Sequence, residues 1–529
     1  MKLPETSGRT YAIPLIILLT VLYLSAFSQP TSERPNILFC IADDASLDHL
    51  SAYGKVKWVK TPGFDRIARE GLLFSNAYTP NAKCSPSRAS ILTGRNPWQL
   101  EEAANHFSFW PAKFTSFIES LQENGYSAGA TGKGWSPGNA GKKDGKPRLL
   151  TGKKYDAIKA QTPTRSISTI DYAANFKQFL NEKKEGSPFC FWFGAHEPHR
   201  AYEYASGITK NNKRLADIQN VPPYWIDNEK TRTDMLDYAF EVEYFDKQLQ
   251  KMLTVLEEAG ELENTIIIVT SDNGMPFPRV KGFVYEQANH LPLAIMWKKG
   301  IINPGRTVTD MVSFIDFVPT ILDVAKVPAT KSYMQPVQGK SLVPVLKGIT
   351  QNNKAKDYVL LGRERTDVGR PNDEGYPVRG IVKDGLIYTR NYEPGRWPAG
   401  NPETGYQDSD SSPTKTEILN ANRKGQNKEI WQLNFGKKDS EELYDLHNDP
   451  FCMKNLANDL SFKKQKENLK MLMEAELKKQ GDPRMSGTGN IFDRYPSASD
   501  AKDFYNRYMK GERGGKFDRI KKDVDLIKP

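Results

Sequence analysis

Three stretches of the chain are apolar at almost every position for the length of a strand: 36–42 (NILFCIA), 188–194 (PFCFWFG) and 265–270 (TIIIVT). Unbroken runs of this kind suit strands covered on both faces, as in a parallel sheet. Between them the spacing changes to that of helices. Residues 62–70 and 111–124 carry helical periodicity and are followed by Gly71 and Gly125, where a helix C-cap is expected. A longer amphipathic stretch over 235–258 places Leu249, Met252, Leu253 and Leu256 on one face before Gly260. Strands alternating with helices predict an α/β architecture around a mainly parallel sheet. From about residue 355 the pattern shortens to alternating pieces at 358–361, 378–382 and 386–389, which predict antiparallel strands of a smaller unit. One further helix is expected around Leu469, Leu472, Met473 and Leu477, and 393–415 is expected to be a long polar loop.

In parallel sheets functional groups gather beyond the carboxyl ends of the strands. Asp43-Asp44, His196-Glu197-Pro198-His199 and Asp272-Asn273 each follow one of the three buried runs. Asp43, Asp44, Asp272 and Asn273 would bring four hard oxygen donors together from two strand ends, which suits Ca²⁺ or Mg²⁺ and not a soft metal. Without a cation, carboxylates facing each other would repel and one pKa would rise. Each motif alone also suits a helix cap or a turn.

Composition narrows the class. Apolar residues are 38% and charged residues 26% of 529, which excludes a polytopic membrane protein, a coiled coil and a wholly disordered chain. Lys and Arg (74) exceed Asp and Glu (64), and the net +10 favours a polyanionic partner without naming one. Lys2 and Arg9 precede an apolar run, Ile13 to Leu24, that ends at Ala26-Phe27-Ser28. The run is short of the roughly 20 residues a spanning helix needs, so residues 1–28 read as a cleaved secretory signal. Export to the periplasm or medium, without stable membrane insertion, is the expectation. Four cysteines exclude a disulfide-built scaffold. Cys40 and Cys190 lie in buried runs, whereas Cys84 sits in a polar, turn-rich stretch with no packing reason for a thiol.

The tract Cys84-Ser85-Pro86-Ser87-Arg88, continuing to Thr93-Gly94-Arg95, resembles the signature of the type I sulfatases. The resemblance runs from about Arg34 to the Asn455 region. Arg34-Pro35-Asn36 through Asp43-Asp44 looks like that family's first strand and metal pair; Thr61–Asp65 and Asn76-Ala77-Tyr78 are similar to the approach to the cysteine. The likeness implies the alkaline-phosphatase-like fold, with a catalytic domain over 33–354, a C-terminal α+β subdomain over 355–498 and a charged extension over 499–529. It also implies that a maturation enzyme converts Cys84 to 3-oxoalanine (formylglycine), whose hydrate is a geminal diol. Sulfate esters are poorly electrophilic, so an oxygen nucleophile held on a divalent cation suits the task; one hydroxyl attacks sulfur and the other then expels sulfate. Carried over residue by residue, the likeness assigns one Ca²⁺ to Asp43, Asp44, Cys84, Asp272 and Asn273. Arg88 would hold the diol, Lys133 (in Thr131-Gly132-Lys133) and Lys281 (in Lys281-Gly282-Phe283) would grip the sulfate, His199 would protonate the leaving oxygen, and His196 would support it.

Within the family the likeness is to the heparan N-sulfatase branch, carried by Ser271–Pro278, His196–Arg200, Tyr376-Pro377-Val378-Arg379 and Glu442-Leu443-Tyr444-Asp445 with Asp449-Pro450. Asn105-His106-Phe107 is similar to a substrate-pocket segment there, so His106, Trp135 and Arg379 are candidate substrate contacts. Trp135 stands where the family places a histidine against the diol. An indole donates a hydrogen bond but is no base near neutral pH, and a water or His106 are the alternatives for taking that proton. Trp98, Trp110, Trp135 and Trp397 lie in loop-like stretches; stacking on sugar rings is one role for them, and some are expected to belong to the core. The expected activity is removal of sulfate from a sulfated polysaccharide or its oligosaccharides, algal or glycosaminoglycan, as ester or sulfamate. The rivals are a phosphomonoester or phosphodiester hydrolase on the same fold, and a non-catalytic glycan-binding relative. A nucleic-acid partner is not expected.

Overall fold

A computed structural model describes residues 1–4, 8, 34–349, 357–401 and 408–512. The strands of its main sheet are β1 (Asn36–Ala42), β2 (Leu72–Phe74), β3 (Ser127–Gly132), β4 (Lys153–Lys154), β5 (Phe189–Gly194), β6 (Thr265–Ser271), β7 (Leu293–Met296) and β8 (Arg306–Val308). They lie in the order β8-β2-β7-β6-β1-β5-β3-β4. The central run β6-β1-β5-β3-β4 is parallel, and β7 is antiparallel to both its neighbours. The three apolar runs of the sequence are thus the three central, adjacent strands.

The register of β1 explains why such strands cannot alternate polar and apolar. Ile37, Phe39 and Ile41 enter one buried cluster, and Leu38, Cys40 and Ala42 enter the cluster on the other face. On the first face pack α2 (Cys84–Thr93), α3 (Phe117–Glu123) and α6 (Phe317–Val324); on the second lie α1 (Pro62–Glu70), α4 (Tyr172–Glu182) and α5 (Glu229–Glu258). Phe39 stacks on Trp192 with ring centroids 4.9 Å apart, which locks β1 to β5 beneath the site.

A second sheet of four antiparallel strands follows: β9 (Tyr358–Arg363), β10 (Val378–Lys383), β11 (Leu386–Asn391) and β12 (Glu441–Asp445). One face joins a cluster that includes Tyr238, Phe277 and Tyr285; the other carries α8 (Lys463–Lys479) through Leu469, Met473 and Leu477. Between β11 and β12, the last two strands of this second sheet, α7 (Pro413–Arg423) starts on a Ser412 cap.

The differences from the sequence expectations have physical causes. The helix expected over 111–124 is only α3, because Ser116 and Glu119 form a capping box that starts it there. Helix α5 begins six residues before 235, where Thr231, Thr233 and Asp234 are polar yet buried. The stretch around Cys84 is a helix, not a turn. All ten of its residues are buried, so it has no amphipathic stripe to detect. The polar loop is shortened by α7, and Asp408 and Ser409 within it are buried. Part of the expected solvated extension is likewise packed, with Ser499 and Phe504 buried; residues 513–529 and most of the signal segment lie outside the described residues. No helix of the described residues is long and apolar enough to cross a membrane.

Candidate active site

Four adjacent parallel strands deliver the site. Asp43 and Asp44 follow β1, Asp272 and Asn273 follow β6, His196 follows β5, and Lys133 follows β3. Asp44 takes a positive φ of 77°, a left-handed turn that costs an L-residue of order 1–3 kcal/mol. Neighbouring bonds hold it: Asp272 Oδ1 accepts the Asp44 N–H (3.1 Å) and Ser271 Oγ accepts the Ala45 N–H (2.7 Å). Gly132 has φ +75°, and a Cβ there would stand 2.0 Å from the Gly194 carbonyl. Only glycine lets β3 and β5 close up and bring Lys133 beside the strand ends.

Cys84 is the first residue of α2 and is buried. Its Sγ lies 3.5 Å from Asp43 Oδ1 and 3.8 Å from Asp44 Oδ1. Burial pushes the thiol well above its ordinary range, even against Lys133 and Lys281, so as a thiol it is a poor nucleophile. Trp135 Nε1 donates to the Ser85 carbonyl (2.9 Å), which pins the first turn of that helix.

Three cations surround the carboxylates. Arg88, fully buried, donates from Nε to Asp272 Oδ2 (2.7 Å) and from Nη1 to the Lys133 and Gly134 carbonyls. Lys133 Nζ reaches both oxygens of Asp43 (2.7 and 2.6 Å), and Lys281 Nζ reaches Asp44 Oδ2 (2.7 Å). Burial alone would raise the Asp43 carboxyl, but Lys133, His199, Arg88 and Lys281 hold it well below the usual range. At Asp272 burial prevails over Arg88 and pushes the carboxyl up to about 6.

Ligand atoms of Asp43, Asp44, Cys84 and Asp272 lie within 4.8 Å of one another. Asn273 donates from Nδ2 to Asp44 Oδ1 (2.7 Å), while its Oδ1 is buried with no hydrogen-bond partner among the described residues. An orphaned carbonyl oxygen beside three carboxylates is a donor set that fits a hard divalent cation. The acidic cluster can therefore hold a metal ion.

Above it opens a cavity of about 850 Å³, in the range of small-ligand sites. His199 borders it, 3.9 Å from Asp44 Oδ2 through Nε2, with Nδ1 2.6 Å from the Arg200 carbonyl. A carbonyl only accepts, so Nδ1 carries a proton and Nε2 is the atom free to exchange one. Burial pushes the neighbouring His196 down to about 4, leaving it neutral.

The structure thus brings together Asp43, Asp44, Cys84, Arg88, Lys133, His196, His199, Asp272, Asn273 and Lys281, and places His106 in the cavity wall. Two candidate substrate contacts lie elsewhere. Arg379 is buried in a pair with Glu364 (2.7 Å) and Asp482 (2.6 Å) under Trp98, where it ties β10 to the turn after α8. Trp135 packs edge-on against Trp110, and its N–H is spent on Ser85. Trp98 and Trp110 are equally buried, and Trp397 lies against Trp431. None of these four tryptophans borders the cavity. Sequence reasoning missed Asp410, whose Oδ2 lies 2.9 Å from Lys281 Nζ, and its neighbours Lys83 and Ser409 in the wall. A polar loop gave no signal that it returns to strand ends more than a hundred residues away.

Comparison with known proteins agrees with the geometry. Residues 35–327, more than half of the chain, match the Sulfatase family. An ulvan-active sulfatase of Formosa agariphila is 28% identical over 86% of this chain and 82% of its own. Human N-sulphoglucosamine sulphohydrolase is 27% identical over 81% and 87%. Among solved structures, one in complex with its substrate D-glucosamine-2-N,6-O-disulfate superposes with a TM-score of 0.62 at 21% identity, covering 85% of this chain and 98% of that one. The chain belongs to the sulfatase family and is a sulfuric ester hydrolase of alkaline-phosphatase-like fold.

Proposed function

We propose that this protein removes sulfate from a sulfated polysaccharide or its oligosaccharides, with residue 84 working as formylglycine beside one Ca²⁺. The observation that carries it is the place of Cys84: buried at the first residue of α2, with Sγ 3.5 Å from Asp43 Oδ1 and 3.8 Å from Asp44 Oδ1, inside the cluster whose donors fit a divalent cation. The names of the relatives, ulvan-active sulfatase and N-sulphoglucosamine sulphohydrolase, support a carbohydrate substrate.

Asp43, Asp44, Asp272 and Asn273, with the oxygens of modified residue 84, would hold Ca²⁺. When bound, the ion supplies charge neutralisation and lowers the pKa of an oxygen next to it. Formylglycine supplies an oxygen nucleophile and a second hydroxyl that lets sulfate leave. The other residues do the positioning. Arg88 fixes Asp272 and, through the Lys133 carbonyl, the Lys133 loop. Lys133 and Lys281 offer ammonium groups to the sulfate oxygens as charge develops there. His199 Nε2 gives its proton to the leaving sugar oxygen, and the Arg200 carbonyl keeps Nδ1 protonated meanwhile. Neutral His196 lines the same wall.

The N-terminal segment 1–28 would direct export, and a maturation enzyme would modify Cys84 on the way. The test is turnover of defined sulfated oligosaccharides by protein whose residue 84 is shown by peptide mass to be modified. Sulfate release by that protein, and none by Cys84→Ala, is expected. Faster hydrolysis of aryl phosphate than of any sulfate would contradict the proposal.

A further inference from the structure

Two polar side chains of the cavity are fixed in place and left without a partner. Ser409 is 1% exposed, and its Oγ has no hydrogen-bond partner among the described residues. His106 is 6% exposed, and neither ring nitrogen has one. Both border the cavity that Cys84 and Lys281 also line. Buried polar groups are nearly always paired, so orphans facing a cavity mark where a polar ligand belongs.

Neither group is free to turn away. Ser409 stands between two clamped neighbours: Asp408 pairs with Arg363 (2.8 Å) and Arg370 (2.9 Å), and Asp410 with Lys281 (2.9 Å). Its own carbonyl accepts a hydrogen bond from Lys415 Nζ (3.0 Å). His106 donates its backbone N–H to the Arg365 carbonyl (2.9 Å), and its ring packs edge-on against Phe107 with centroids 4.6 Å apart. Polar groups held in position before a ligand arrives lower the ordering cost of binding it. His106 lies between α2 and α3, and Ser409 in the loop between β11 and α7, so the C-terminal unit supplies part of this pocket.

The chemistry of the two groups is alike. A serine hydroxyl both gives and takes a hydrogen bond, and an uncharged imidazole gives from one nitrogen and takes at the other. Burial, reinforced by Lys83, Lys281 and Lys133, holds His106 well below its ordinary range and so uncharged. A sugar hydroxyl, which also gives and takes, complements each of them. We infer that Ser409 and His106 each hydrogen-bond a free hydroxyl of the sugar that loses its sulfate, and so select among sulfated sugars. The inference rests on the carbohydrate sulfatase reading above and assigns to these two residues the reading of the ring's hydroxyls.

The test uses protein fully modified at residue 84 and the monosulfated methyl glycosides of galactose, glucose, N-acetylglucosamine and rhamnose. The sugar turned over fastest is the parent, and it is compared with its deoxy analogues, each lacking one hydroxyl. A missing hydroxyl leaves a buried group unpaired, so kcat/KM is expected to fall at least about fivefold for one or more of these analogues. Ser409→Ala and His106→Phe are each expected to erase such a penalty, bringing one parent-to-deoxy ratio to within about twofold of unity. Damage to the fold lowers the rates of parent and analogue alike and leaves the ratio standing. Deoxy analogues all as fast as the parent, or penalties that stand at every carbon in either variant, would overturn the inference alone. Hydrolysis of aryl sulfate with no sulfated sugar turned over would overturn the carbohydrate reading and this inference with it.

Discussion

Lys281 and Asp410 meet at 2.9 Å across two parts of the chain, one just beyond β6 and the other in the loop that follows β11. Lys281 is shared between Asp410 and Asp44, and these two carboxylates hold its ammonium well above the ordinary lysine range despite burial. Asp410 thereby sets where the ammonium stands. In Asp410→Asn the lysine is expected to lean toward Asp44 and kcat/KM to fall by about tenfold, a loss of one charge-assisted bond. With Lys281 gripping the sulfate as proposed, Lys281→Ala is expected to cost about 10²–10³ in kcat. Steady-state kinetics on one sulfated sugar checks both. Equal losses in the two variants would mean that Asp410 acts on the substrate directly.

In the proposed mechanism His199 Nε2 protonates the leaving oxygen, so its contribution would depend on the leaving group. His199→Ala is expected to lose at least about 10²-fold on a sugar sulfate, the usual scale for a lost general acid, and distinctly less on p-nitrophenyl sulfate, whose phenolate leaves unaided. The same loss on both substrates would remove the proton-donor role.

The orphaned Asn273 Oδ1 and the three carboxylates around it would make the folded protein sensitive to a divalent cation. Adding Ca²⁺ to chelator-treated protein is expected to raise Tm, since a ligand at about 100 times its Kd adds roughly 2.7 kcal/mol to the folded state. Asn273→Ala should shrink that rise. Scanning calorimetry in EDTA and in Ca²⁺ reads it; an unchanged Tm in the wild type would contradict a cation at this cluster.

Glu241 gives a pH signature. It lies on α5 beside the cavity, and burial, reinforced by Glu197, pushes its carboxyl up to about 9. Its folded pKa is raised, so the folded state binds the proton more tightly than the unfolded chain. The stability it contributes is present below the unfolded value of about 4.3 and is lost as pH rises to about 9, by up to about 1.4 kcal/mol per unit. Glu241→Gln, which keeps the shape and cannot ionise, should therefore gain on the wild type steadily between pH 5 and 9 in urea unfolding. A constant difference across that range would show that Glu241 is not held protonated.

Much of the molecule was legible because its central strands obey a simple rule. Residues 36–42, 189–194 and 265–271 are buried on both faces, and unbroken apolar runs report that directly. The polar groups at their carboxyl ends followed from the parallel arrangement. Helix α2 was illegible for the opposite reason: Ser85, Ser87, Arg88 and Ser90 are polar and buried, so hydrophobic periodicity says nothing there. Pro86 also suggested a turn, although proline is tolerated in a first helical turn. Arg379 misled because a lone arginine in a matched tract looks available for an anion, whereas Glu364 and Asp482, distant in sequence, claim it. Asp410 was hidden by the composition of its loop.

The most direct measurement pairs peptide mass at position 84 with sulfate release, across preparations made with and without the maturation enzyme. Activity per milligram is expected to rise in proportion to the aldehyde fraction and to vanish where only the thiol is present. Full turnover by protein carrying an intact Cys84 thiol would contradict the account at its centre.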